Sequence, residues 1–97
     1  MNSNNIEIKF EAKNNQSVAY DGNNAIGRCK FARLKGQWVI TLTDVEKEYG
    51  GKVIGKQLVL KVIDEARCEN VKIVPSCPYA RKVMLENPEE FSDVLQN

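Results

Sequence analysis

Two segments of this 97-residue chain combine residue types that could do chemistry, and the first is a glycine-rich turn. It precedes a long segment with helical periodicity and reads Glu48-Tyr49-Gly50-Gly51-Lys52-Val53-Ile54-Gly55-Lys56. Glycines let the backbone approach a ligand closely, and the start of a helix presents unpaired N–H groups and a positive dipole end. We therefore expect an anion site here, most naturally for phosphate, with Lys52 and Lys56 adding positive charge.

The turn also has a purely structural interpretation, in which Gly55 is small because the helix crosses the sheet closely. One phosphate-binding pattern matches poorly. Residues 50–57 read G-G-K-V-I-G-K-Q, and Gln57 replaces the hydroxyl that holds Mg²⁺ in the pattern G-x-x-x-x-G-K-[ST]. The alternative is a pyrophosphate loop for a nucleotide-type cofactor such as coenzyme A. Lys52, Lys56, Arg81 and Lys82 gather near its phosphates if two helix starts are neighbours, and are otherwise scattered surface charges.

The second segment is Ser76-Cys77-Pro78-Tyr79. If Pro78 is the first residue of a helix, Cys77 occupies the cap position, where the positive helix end favours the thiolate and lowers the pKa of the thiol. The alternative is that Cys77 is a small buried hydrophobe. Cys29 and Cys68 fall in a predicted strand and near the end of the long helix, and we expect both to be inert.

Composition excludes several function classes. The chain has no histidine, which removes the commonest general base and metal ligand. Its three cysteines are odd in number and widely spaced, which argues against a disulfide framework and against a metal site. A net charge of +1 argues against a general nucleic-acid binder. At 97 residues the chain has the length of one domain, which we expect to span residues 1–97. Since there is no membrane-length apolar run and no signal-peptide pattern at residues 1–5, we expect this domain to be cytoplasmic.

Hydrophobic periodicity predicts strands in the first half of the chain and helices mainly in the second. Alternating apolar residues and turn signals indicate a four-stranded meander over residues 6–11, 17–20, 25–34 and 37–45. Spacings of three to four residues then indicate a long helix from Lys52 to a stop near Asn70. An interior strand at 71–74 and helices at 78–86 and 89–95 follow. The order β-β-β-β-α-β-α-α predicts an α+β fold, mostly antiparallel, with the long helix on one face of the sheet.

This order, the pattern V-x-x-x-Y-x-G-x-x-x-G-K-x-L over residues 45–58, and C-P-Y at 77–79 resemble the GNAT superfamily of N-acetyltransferases. More narrowly, the chain is similar to the small single-domain subgroup that carries a C-P-Y segment. The resemblance implies acetyl-CoA as the cofactor and an amine as the acceptor, either a small molecule or a protein amine. It implies no nucleic acid and no membrane as partners.

The resemblance also implies which residues meet the cofactor. In the family, backbone N–H groups of the turn hold the pyrophosphate, and the end of the preceding strand pairs with the pantetheine arm beside a splayed neighbour. Tyr79 lines the cofactor slot or packs against the tail. Carried onto this sequence, the cofactor-binding residues are Thr43, Val45, Gly50, Gly51, Lys52, Val53, Ile54, Gly55, Lys56 and Tyr79.

The same resemblance implies catalytic roles for Cys77 and Asp44. Cys77 lies near the thioester and either protonates the leaving CoA thiolate or carries the acetyl group itself. Backbone N–H groups near Thr43 and Val45 stabilise the oxyanion. The base is a carboxylate, for which Asp44 is the nearest candidate, or an ordered water.

The chain departs from the subgroup at three positions. Leu42 stands where a histidine is common, Gly50 where an arginine is common, and Val53 where the second loop glycine is common. These departures support an alternative, a catalytically inactive acyl-CoA-binding or protein-interaction module on the same fold. A third interpretation is an unrelated small α+β binding domain, for which we expect no splay between the strands near Val45 and Val74.

Overall fold

The computed structural model describes residues 6–50 and 52–96, apart from the side chain of Lys52. Its strands form one sheet in chain order, an antiparallel meander followed by a last strand that runs parallel to its neighbour. This confirms an α+β fold. No helix in this part of the chain is long and apolar enough to span a membrane. The elements are β1 (Ile6–Glu11), β2 (Gln16–Asp21), β3 (Asn24–Leu34), β4 (Gln37–Val45), α1 (Lys52–Glu69), β5 (Lys72–Pro75) and α2 (Pro78–Glu86).

Helix α1 packs on one face of the sheet, as its periodicity predicts. Its buried stripe consists of Ile54, Leu58, Val59, Val62, Ile63 and Ala66. The buried hydroxyl of Ser17 in β2 donates a hydrogen bond to the carbonyl of Leu58, 2.8 Å away. Gly27 in β3 leaves room for the helix, because a Cβ at this position would lie 3.3 Å from Leu58 Cδ1 and 2.9 Å from the backbone oxygen of Asp44. The helix therefore approaches the meander closely.

The expected helix at residues 89–95 is wrong. Residues 88–94 form turns, and Leu95 makes a parallel bridge with Ile73 of β5. The N–H of Ile73 donates to the carbonyl of Val94, and the N–H of Gln96 donates to the carbonyl of Ile73. These bonds satisfy backbone groups on the outer edge of β5, which a helix could not do. Phe91 is nevertheless buried in the core.

The expected interior position of the short strand is also wrong. Among the described residues, β5 is the last strand of the sheet, with β4 on one side and a single bridge to Leu95 on the other. Its apolar character comes from burial of Ile73 and Pro75 rather than from strands on both sides. At its end, Cys77 caps α2 and Pro78 is the first helical residue, as predicted.

We expect Gly27→Ala to lower the free energy of unfolding by about 1–3 kcal/mol, because the new methyl group meets a backbone oxygen that cannot move alone. Urea denaturation followed by circular dichroism measures this, with the exposed strand variant Thr41→Ala as the control. Equal stabilities of the two variants would contradict the crowding of Gly27 by the carbonyl of Asp44 in β4 and by Leu58 of α1.

Candidate functional site

The candidate site lies where β4 and β5 separate. The two strands pair only as far as Ile40 and Pro75. The carbonyl of Ile40 then accepts hydrogen bonds from the N–H of Ser76, at 3.1 Å, and of Cys77, at 2.9 Å. β4 continues to Val45, whereas the other chain turns into α2. Within the described residues no strand pairs with this edge of β4 beyond Ile40. The N–H of Thr43 faces the thiol of Cys77, and the remaining backbone groups of the edge are available to a ligand.

The hydroxyl of Thr43 links two thiols at this gap. Cys77 donates a hydrogen bond to Thr43 Oγ1 over 3.6 Å, and Thr43 Oγ1 donates to Cys29 Sγ over 3.6 Å. Thr43 is the register partner of Cys29 on β3, so the sheet holds the hydroxyl in place. Cys77 is 6% exposed. The thiol of Cys77, the cysteine that the sequence pattern indicates, therefore lies against β4 in the gap between β4 and β5.

The two linked thiols differ in acidity. Burial alone raises the pKa of the Cys77 thiol. Once Cys77 loses its proton, the N–H of Ala80, the hydroxyl of Thr43 (which then donates to Cys77 instead of Cys29) and the N–H groups of Tyr79 and Thr43 stabilise the thiolate. These bonds act against burial and bring the pKa of Cys77 below its ordinary value of 9.0. Burial raises the pKa of the Cys29 thiol to about 12, although the Thr43 hydroxyl lowers it. Cys29 therefore stays protonated, which supports its expected inertness, while Cys77 is the thiol suited to proton transfer.

The glycine turn is fastened to the β2–β3 hairpin. A short 3₁₀ turn, Lys47–Tyr49, ends at Gly50, which has φ of +79° and donates its N–H to the carbonyl of Lys47. The hydroxyl of Tyr49 donates to the carboxylate of Asp21 at the end of β2 over 2.5 Å. This bond raises the pKa of Tyr49 to about 12. The backbone before α1 is thereby held at a set position relative to the sheet.

A cavity of about 510 Å³ lies between the start of α1 and α2. A Cβ on Gly55 would lie 3.2 Å from three atoms of the Tyr79 side chain. Gly55 is therefore small because Tyr79 packs on it, rather than because α1 crosses the sheet closely. The contact also confirms that the two helix starts are neighbours. The cavity is lined by Lys56, Tyr79, Lys82, Val83 and Glu86.

The predicted basic residues divide between two places. Lys56 and Lys82 line the same cavity as Glu86, so two cations against one carboxylate leave the lining with a net positive charge, which suits an anionic ligand. Arg81 instead lines a separate cavity of about 370 Å³ beside β5 and the C-terminal segment. Val83 and Glu86 of the larger cavity were missed by sequence analysis, although the spacing from Tyr79 on a helix could have indicated them.

The other predicted cofactor residues have different environments. Ile54 is buried in the core and Val45 is half-buried against it, so both side chains stabilise the fold. Val53 is 68% exposed, so its side chain points away from the core. Gly51 lies outside the described residues, and so does the side chain of Lys52.

Asp44 is separated from Cys77 by the pleat of β4. Thr43 faces α1, since its row across the sheet includes Cys29 and Ser17, and Ser17 bonds to α1. Side chains alternate along a strand, so the exposed Asp44 lies on the opposite face. The two predicted catalytic side chains therefore flank the same strand edge from opposite faces.

The chain is similar to known proteins in both sequence and fold. The sequence profile of a family described as GCN5-related N-acetyl-transferase matches residues 9–94. One similar solved structure is the NMR solution structure of a GCN5-like protein from Staphylococcus aureus, which is 34% identical. The match covers 96% of this chain and 90% of that chain, with a TM-score of 0.71. No curated protein matches the chain.

We expect the thiol of Cys77 to titrate below 9.0, and Thr43→Val to raise that midpoint by removing a hydroxyl that lowers the pKa. The thiolate absorbance is followed against pH in a Cys68→Ser background, and the spectrum of the same protein with Cys77→Ser is subtracted. A midpoint at or above 9.0, or one that Thr43→Val leaves unchanged, would contradict the described environment.

Proposed function

Because the chain belongs to the GCN5-related N-acetyltransferase family, we propose that it transfers the acetyl group of acetyl-CoA to an amine. The observation that carries the proposal is the separation of β4 from β5 beyond Ile40, where Thr43 and Cys77 lie against each other. A strand edge with unpaired backbone groups suits the amide-containing pantetheine arm. A bound acetyl-CoA supplies an acetyl group activated as a thioester.

The start of α1 and the neighbouring cavity fit the phosphates of this cofactor. The N–H groups of Lys52, Val53 and Ile54, at the first turn of α1, have no partner within the helix and lie at its positive end. Lys56 and Lys82 add two ammonium groups from two different helices. We assign pyrophosphate binding to this backbone and these lysines, with Gly50 supplying the left-handed turn that leads into the helix.

In this proposal one side chain beside the edge of β4 donates a proton and another accepts one. Cys77 donates its proton to the sulfur that leaves, and the N–H of Thr43 and the start of α2 favour the thiolate that remains on Cys77. Asp44, on the other face of β4, accepts the proton that the attacking amine loses. Backbone N–H groups at the end of β4 stabilise negative charge on the carbonyl oxygen. An alternative role for Cys77 is to carry the acetyl group as a thioester before the amine attacks.

The second candidate is an acyl-CoA-binding module without turnover. The observation that favours it is Leu42, which is 45% exposed on β4 where the subgroup commonly has a histidine. The two functions separate in one experiment. The binding module is correct if the wild-type protein binds acetyl-CoA without turnover and the Leu42→His variant gains transfer. If the wild-type protein already turns over, it is wrong.

We expect Lys56→Gln and Lys82→Gln each to weaken acetyl-CoA binding about tenfold, because each removes a charge-assisted contact with phosphate. Isothermal titration calorimetry measures the affinity. Lys13→Gln, which removes the same charge from an exposed position before β2, is the control and leaves binding unchanged. Equal effects of all three variants would indicate that only net charge matters and would contradict the assigned phosphate site.

We expect Cys77→Ala to reduce transfer by about 100-fold or more while acetyl-CoA still binds, since removal of a general acid affects turnover rather than cofactor affinity. Release of the CoA thiol is followed with a panel of amines. Intact-mass spectrometry distinguishes the two roles, since an acetyl adduct that disappears in Cys77→Ala indicates the covalent one. Unchanged turnover would remove Cys77 from the mechanism.

A further inference from the structure

The sheet face opposite α1 is uncovered beside the proposed transfer site. Arg28, Lys30, Leu42 and Asp44 lie on this face, since Arg28 is the register partner of Asp44, and Lys30 that of Leu42. None of the described helices packs there, because α1 and α2 both contribute to the core on the other face. An acceptor approaching β4 from this side meets Asp44 first.

The charges on this part of the face are not paired with one another. Arg28 and Asp44 are direct cross-strand partners, yet within the described residues neither they nor Lys30 form an ion pair. Other charged groups further along the sheet do have partners. Lys9 lies 4.0 Å from Glu7, and Glu11 accepts hydrogen bonds from Tyr20 and Gln16. The unpaired set therefore has two cations and one carboxylate.

We propose that the acceptor is a small amine that carries a carboxylate beside its amino group, as an amino acid does, with Arg28 binding the carboxylate and Asp44 facing the amine. Arg28 is the better anchor of the two cations because its planar guanidinium binds a carboxylate through two parallel hydrogen bonds. It is half-buried, whereas Lys30 is exposed. This inference rests on the proposed acetyl transfer.

The separation of the two groups suits a compact acceptor. Side chains on directly opposed strand residues start about 4.5–5.5 Å apart at Cβ. Asp44 and Arg28 can therefore hold two oppositely charged groups of one small molecule, whereas an uncharged or purely cationic amine leaves the guanidinium unpaired. Leu42, 45% exposed next to Asp44 along β4, adds an apolar surface. It favours an amino acid with an aliphatic side chain.

The transfer that follows from this arrangement balances without a further reactant. The amine nitrogen forms a bond to the acetyl carbon, and the carbon–sulfur bond breaks. The proton lost by the amine goes to Asp44, and Cys77 supplies the proton that the CoA sulfur gains. Exchange with water returns both side chains to their starting states. The carboxylate of the acceptor takes no part in bond making and serves only for recognition.

The test compares L-leucine with L-leucinamide, which lacks the carboxylate. We expect wild type to have a higher kcat/KM for L-leucine, and Arg28→Gln to lower that value about tenfold while changing the value for L-leucinamide little. Arg28→Lys keeps the charge and retains part of the preference. Lys9→Gln, which removes a cation from the same face two strands away, leaves the preference intact.

A binding readout separates this inference from the proposed function. Amide NMR spectra of the protein without cofactor are recorded with L-leucine and with L-leucinamide. We expect L-leucine to shift the signals of Arg28 and Asp44, and L-leucinamide to leave them unchanged. Normal acetyl-CoA binding with no leucine-induced shift and no leucine acetylation would overturn the acceptor class only. Equal use of the two amines by wild type would overturn it as well. Absent acetyl-CoA binding would contradict the proposed function, while leucine shifts lost in Arg28→Gln would still support the acceptor site.

Discussion

The end of β4–β5 pairing at Ile40 is the constraint on which the rest of the site depends. One carbonyl accepts two N–H groups, from Ser76 and Cys77, and this turns the chain out of the sheet and into α2. Had β5 continued beside β4, its backbone would occupy the edge of β4 that is now unpaired. The early end of β5 therefore creates the gap and brings the cap residue of α2 against Thr43 at the same time.

The pleat of β4 places successive side chains at this edge on opposite faces of the sheet. Thr43 turns toward α1 and holds Cys77, while Leu42 and Asp44 turn toward the uncovered face with Arg28 across from them. In the proposed transfer, a leaving group and an attacking amine need a proton donor and a proton acceptor at different positions. Alternation along β4 places Thr43, with Cys77 against it, on one face and Asp44 on the other. On the core face, Tyr79 of α2 packs on Gly55 of α1.

The elements that local periodicity and turn chemistry determine were predictable from sequence. β4, the start of α1 at Lys52 and the whole of α2 from Pro78 agree with the residues expected. The conformation of residues 88–95 was not predictable, because this segment is hydrogen-bonded to the edge of β5 at Ile73. That is a tertiary contact, which no local pattern encodes. The proximity of Cys77 to Thr43 was implied only by the family resemblance. The contact of Thr43 with Cys29 depends on the β3–β4 register, which the sequence pattern leaves open.

We expect the pantetheine arm of acetyl-CoA to pair with β4 beyond Ile40, and amide NMR measures this most directly. Spectra of isotope-labelled protein are recorded as acetyl-CoA is added. The largest shifts should fall at residues 41–45 and at the start of α1, with the amides of β1, three strands away, left unchanged. Shifts confined to the start of α1, with residues 41–45 unaffected, would mean that the gap between β4 and β5 does not hold the acyl arm. This result would contradict the proposed position of acetyl-CoA.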